Sequence, residues 1–217
     1  SDRSSGTGGF AVFASTTHPL YVDPNGEEAR CDLGLDEPPF DRVQFVPMRL
    51  VDGDDASCLN LNRAIQPQIT GVDVEALARR NAFTFQKTSV PPGATPWDML
   101  RYQPGANAAP AALDYNTMMY SLKLKLGDTL TYVDDFGEPF TFHIVAALRP
   151  GMLQGMLLAD ATALEARFPA SAGFRVFLAD AVKPTDTDAI DAAALATAMN
   201  QRFRDFGMDA VPAATRL

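Results

Sequence analysis

An α+β fold, with hairpins and helices mixed rather than alternating in βαβ order, is predicted by three features of this sequence. The run 121–178 holds alternating strands joined by a tight acidic turn, then a short helix between further strands. A long helical pattern closes the chain, and short apolar strands bounded by Gly, Pro and Asp fill its first half. With 217 residues, 47% apolar and 21% charged, the chain is long enough to bury a substantial core in one large domain or two small ones.

Local chemistry assigns the elements in order. Residues 9–17 (GFAVFASTT) suit a buried strand. Residues 23–41 are polar and punctuated by Pro24-Asn25-Gly26 and Pro38-Pro39, with a short helix at 26–30. Residues 42–51 (RVQFVPMRLV) alternate as a strand with Val43, Phe45 and Pro47 on one side; Pro47 marks an edge or a bulge. A turn at VDGDDASCLNLN leads into a strand in which Asn60 and Asn62 alternate with Leu59 and Leu61, and residues 65–72 continue extended. Residues 73–80 read as a short helix capped by Asp73. Three prolines and a glycine make 90–96 a loop, and Pro96 opens a helical turn through Leu100. Residues 103–110 form another loop, and Asp114 caps a helix over 115–120.

Leu122, Leu124 and Leu126 then alternate with Ser121, Lys123 and Lys125 up to a turn at Gly127-Asp128. Residues 129–133 and 139–148 form a hairpin whose loop, 134–138, places Gly137 in the left-handed region. A short strand at 156–158, a helix capped by Asp160 and ending before Pro169, and a strand at 174–178 follow. The clearest helix spans 187–206. Asp186 or Thr187 caps it, Leu195, Met199, Phe203 and Phe206 share one face, and Gly207 stops it.

The formal net charge is −9 and the 18 basic residues are scattered, which argues against nucleic acid and anionic lipid headgroups as partners. No window is apolar enough to span a bilayer, and SDRSSGTGG lacks the regions of a signal peptide. The expectation is a domain cut from a longer protein, or one that follows a cleaved signal. Cys31 and Cys58 are the only cysteines; they form a single disulfide in an oxidising compartment or stay as isolated half-buried thiols. With His18 and His143 they give no zinc spacing. Asp135-Phe136-Gly137 lacks every companion of the kinase magnesium triplet and reads as a hairpin turn. Counting from Asp52, Arg63 stands where a calcium loop needs Glu, so Asp52-Gly53-Asp54-Asp55 reads as a solvated turn. Gly6-Thr7-Gly8-Gly9 precedes a strand instead of following one, so it is no phosphate cradle. There is no GxSxG elbow, and no catalytic, metal or cofactor residue is assigned. One segment is less bland: Met152, Leu153, Gln154 and Met156, bracketed by glycines, form a candidate partner-contact loop, or else a loop that enters the core.

In its order of pieces the chain resembles the extracytoplasmic domain of FtsX-like ABC transporter permeases, the MacB-like periplasmic core domain. NTMMYSLKLKLGDTLTYVDDFGEPFTFHIVAAL is similar to the family's helix, its Leu-Lys-Leu-Gly-Asp step and the hairpin beyond, and LLADATALEARFPASAGFRVFLADA to its next strand, helix and strand. GGFAVFASTTHPLY and DDASCLNLNRAIQPQITGV resemble the start of the domain in large multi-span members. The resemblance implies a mixed α/β, porter-like base from residues 1–85 and 155–217, with a smaller β-rich subdomain inserted at 86–154. It implies a non-enzymatic domain without cofactor on the periplasmic or extracellular face of the cytoplasmic membrane. Transmembrane helices of the parent chain would tether it, and a cytoplasmic ATPase would drive it indirectly. A periplasmic adaptor, lipoprotein or peptide cargo would be its partner outside. The rival expectations are a free secreted peptide- or glycan-binding module with a groove between its lobes, and a hydrolase whose triad assembles only in space.

Overall fold

The computed structural model describes residues 3–53, 66–88, 95–101, 105–181 and 191–217. In chain order these form β1 (Val12–Leu20), α1 (Glu27–Leu33), β2 (Val43–Val51), β3 (Gln68–Val72), α2 (Val74–Arg80), β4 (Phe85–Thr88), a 3-10 turn (Asp98–Arg101) and β5 (Ala108–Asp114). A π-helical turn (Thr117–Ser121) precedes β6 (Thr129–Val133), β7 (Pro139–Leu148), β8 (Met156–Asp160), α3 (Ala161–Arg167) and β9 (Phe174–Ala181). After α4 (Ala192–Arg202) and β10 (Met208–Pro212), the chain closes on a 3-10 turn (Ala213–Arg216). The fold is α+β, as the sequence predicts.

The strands make one mixed sheet in the order β10-β1-β9-β2-β3-β8-β5-β7-β4, with β6 also on β7. β3–β8 and β5–β7 are parallel; the other pairs are antiparallel. β2 is the joint. It pairs with β9 along Val43–Met48 and with β3 only along Arg49–Val51, so one side of its first half carries no strand. Pro47 sits in that half, which makes the predicted edge local.

Three apolar clusters hold the sheet to its helices. Phe10, Phe13, Met48, Leu77, Trp97, Leu148 and Leu178 pack with α2. Ile69, Phe140, Phe142, Ile144, Leu157 and Leu164 pack around β6–β7 and α3. Val12, Phe45, Phe177, Leu195, Met199 and Phe203 pack with α4. Each large side chain removed from water contributes about 1.5–3 kcal/mol.

Caps set the helices where expected. Asp73 accepts from the Ala76 N–H at 2.9 Å and Asp160 from the Thr162 N–H at 2.9 Å. The hairpin falls on its predicted residues, with Gly137 at φ 81°. Corrections concern four segments. The last helix begins at Ala192, because Asp191 accepts from the N–H groups of Ala193 and Ala194. The expected start at 187 and its caps Asp186 and Thr187 lie outside the described residues. β5 occupies the second part of the predicted 103–110 loop and runs on to Asp114. Its alanines have no strand signature of their own and are ordered by β7 and β8 on either side. Residues 122–126 are not a strand, although Leu122, Leu124 and Leu126 do turn together toward the second cluster, and the chain turns at Gly127 as expected. β10 was not expected beyond the Gly207 stop. The strand read over 59–62 lies outside the described residues.

Candidate functional site: the clasp of the chain ends

β1 and β10 are antiparallel neighbours, with Val12 opposite Pro212, so the two ends of the chain leave the sheet together. There they are clasped. The Met152 N–H donates to the Gly6 carbonyl at 3.1 Å, and the Phe83 N–H to the Arg3 carbonyl at 2.9 Å. The Thr84 hydroxyl donates to the Ser4 carbonyl at 2.7 Å, and the Ala213 N–H to the Ala11 carbonyl at 2.8 Å. The glycines here are explained by close approach. A Cβ on Gly151 would lie 2.3 Å from the Gly6 oxygen, and one on Gly6 would lie 2.6 Å from Leu217 Cδ2. One on Gly8 would lie 2.8 Å from the Phe83 ring. Phe83 itself is at φ 64°, a left-handed backbone uncommon for a bulky side chain. Arg216 lays its guanidinium 3.8 Å from the Phe13 ring centroid; burial lowers its pKa from the usual arginine value, partly opposed by Asp209.

The clasp reaches further inward through one carboxylate. The Gly155 N–H donates to Asp114 Oδ2 at 2.9 Å, and the other oxygen accepts from the Thr117 N–H at 2.9 Å. Asp114, nearly fully buried, therefore ties the end of the 149–155 loop to the start of the π-helical turn. The Arg149 N–H also donates to the Thr84 carbonyl at 2.8 Å. Residues 83–84, 149–155 and both chain ends thus meet at one junction.

A second feature lies at the open side of β2. A groove of about 590 Å³ is lined by Gln44, Phe45, Pro47 and Arg49 of β2, by Asp73 with Ala76, Arg79 and Arg80 of α2, and by Ala161 and Glu165 of α3. Arg3, Asp23, Asn25 and Phe174 complete its rim. Arg49 pairs with Glu165 at 2.5 Å, and Arg80 with Asp180 at 2.6 Å.

The residues singled out in the sequence are placed as follows. Met152, Leu153 and Met156 are buried in the first cluster, while Gln154 and Gly155 are exposed. Three side chains of this loop thus lie in the core, next to the close approach of Gly151 to Gly6. Cys31 is exposed on α1, while Cys58 lies outside the described residues, and the disulfide reading with it. His18, on β1, and His143, on β7, are separated by five strands. Asp52 pairs with Arg175 at 2.8 Å; Asp54 and Asp55 lie outside the described residues. Among the described residues no three His, Cys, Asp or Glu side chains are grouped to hold a metal. The sequence shows no clasp by itself, yet it carries a signal of one: Gly6 and Gly8 belong to the run Gly6-Thr7-Gly8-Gly9, whose position before a strand excludes a phosphate cradle.

What the fold and this junction define is a class: an α+β domain on one mixed sheet with both ends at one pole. Among solved structures it is similar to the periplasmic region of MacB from Actinobacillus actinomycetemcomitans, with TM-score 0.42 and 10% identity over 95% of this chain and 91% of that one. It is also similar to the extracellular domain of the noncanonic ABC-type transporter YknZ from Gram-positive bacteria, with TM-score 0.41 and 14% identity over 93% of this chain and 98% of that one. No protein-family model and no curated protein matches the sequence.

Proposed function

We propose that this chain is the extracytoplasmic domain of an ABC transporter permease, a non-enzymatic lobe that converts movement of membrane helices into movement outside the membrane. The observation that carries the reading is the clasp. A body tethered by both ends needs them at one pole, and here the N-terminal end is bonded to the 83–84 and 151–152 segments while the C-terminal end lies against that same N-terminal stretch, through Ala213 on Ala11 and Leu217 beside Gly6. Displacement applied at the ends is delivered to the 149–155 loop and, through Asp114, to the β5 end of the sheet. The division into a base (1–85 and 155–217) and an insertion (86–154) belongs to the same proposal. Both crossings between the two parts adjoin the clasp, so the ends act where the parts join. Tethering helices of the parent, a cytoplasmic ATPase acting through them, and an adaptor, lipoprotein or peptide cargo outside are the partners this implies.

The test is made in the full-length parent. Both flanks should run into apolar stretches of about 20 residues. A cysteine introduced by Phe136→Cys, at an exposed hairpin tip in a chain with Cys31 and Cys58 replaced by serine, should react with a membrane-impermeant maleimide on intact cells or spheroplasts. Labelling that requires lysis, or flanks without apolar spans, would refute the proposal. A cleaved signal in front and a stop codon behind would favour the secreted binding module.

A further inference from the structure

We infer that the groove beside β2 receives an acidic, extended peptide segment, which pairs with β2 in place of the Asn25 side chain. This goes beyond the mechanical reading and does not depend on it. Strand pairing leaves half of β2 open; there Val43 is met by the Phe40 carbonyl and the Arg30 guanidinium, and Phe45 by a side chain imitating a peptide unit. The Phe45 N–H donates to Asn25 Oδ1 at 2.9 Å, and Asn25 Nδ2 donates to the Phe45 carbonyl at 2.9 Å. A carboxamide carries one acceptor and a donor group, like a peptide, so a strand that displaces it exchanges two hydrogen bonds for two. Asn25 stands on a turn after Tyr21 and Val22, two of the chain's large exposed apolar residues, and Asp23 holds it from that turn at 2.8 Å. Pro47, two residues past Phe45, directs its nitrogen to the same side and offers no donor there, so the pairing is short.

Charge selects the occupant. The acidic groups of the groove are engaged: Asp73 caps α2, Glu165 pairs with Arg49, and Asp23 accepts from Asn25. Two of its four guanidiniums, Arg79 and Arg3, are less so. Arg79 has only the exposed Glu75 at 3.2 Å, and Arg3 makes no ion pair among the described residues. In a chain of net charge −9, Arg3 and Arg79 are the groove's cations that favour a carboxylate; Arg49 and Arg80 are already paired with Glu165 and Asp180.

The probe is a fluorescein-labelled octapeptide alternating Val and Glu, titrated against the 217-residue chain by anisotropy, beside a Val/Lys version and a proline-interrupted version. Short pairing predicts a Kd on the order of 10–100 μM for the acidic peptide. Asn25→Ala, with its fold checked by circular dichroism, should tighten binding roughly threefold or more, because the competing amide is gone. Arg79→Glu, an exposed change, should weaken it roughly five- to tenfold and flatten its salt dependence. Equal binding of all three peptides, or no binding to either the chain or a folded Asn25→Ala variant, would overturn the inference. So would concentration-dependent self-association of Asn25→Ala without peptide binding, which would make Asn25 only a guard against edge pairing.

Discussion

Asp134 is the most committed single residue in the hairpin. Its side chain is fully buried, accepts from the N–H groups of Phe136 and Glu138, and pairs with Arg167 at 3.1 Å. Arg167 also bonds the Ala106 carbonyl and the Asn107 side chain. Removing one partner of a buried pair strands the other charge, so Arg167→Ala should cost about 3 kcal/mol, read from the urea midpoint. Asp98 makes a smaller, pH-dependent contribution. Hydrogen bonds from the Thr95 side chain and backbone hold its pKa below the ordinary carboxylate value. A depressed carboxyl stabilises the fold above its unfolded pKa of about 3.9 and loses that contribution as pH falls through the folded value. The urea midpoints of the natural chain and Asp98→Asn should therefore differ near neutrality and converge in acid. At this scale the sequence was legible where a residue acts on its neighbours: the Asp73 and Asp160 caps and Gly137 stand where predicted. It was silent where partners are remote. Nothing near Asp134 in sequence announces Arg167, and nothing near Asn25 announces Phe45.

Elements with their own periodicity could be read, and those made by their surroundings could not. The β6–β7 hairpin alternates and is flanked by turn residues, so its residues declare it. β5 is alanine-rich with a proline inside, and becomes a strand only because β7 and β8 pair with it. β10 is short and follows a helix stop. It owes its edge to Asn200, whose carboxamide accepts from the Ala210 N–H at 2.7 Å and donates to the Ala210 carbonyl at 2.9 Å. The same device thus closes β10 and half of β2. Asn200→Ala should lose about 1–2 kcal/mol and speed hydrogen exchange at the Ala210 amide, seen by NMR. In α4, Leu195 and Met199 anchor the helix in the third cluster; Leu195→Ala should cost about 2–5 kcal/mol by the same denaturation measurement.

Over the whole molecule, the sheet links a clasped pole to a distant hairpin, and the proposed mechanics depend on the clasp staying closed. Gly151→Ala forces a Cβ to 2.3 Å from the Gly6 oxygen, a backbone contact that cannot give way as a flexible side chain would. It should lower stability by about 1–3 kcal/mol and accelerate exchange at the Met152 and Phe83 amides together, because one clasp protects both. Of this level the sequence yielded the fold class and the family resemblance. The meeting of residues 3–9, 83–84, 149–155 and 213–217 is a product of tertiary packing between segments far apart in the chain. The measurement that bears most directly on the account is a spin-label distance between Ser4→Cys and Thr215→Cys, with Cys31 and Cys58 replaced by serine. A narrow distribution well under 20 Å is expected, roughly half or less of the ~40 Å that spans a domain of this size. A broad distribution, or one centred near that full span, would contradict the claim that both ends act from a single pole.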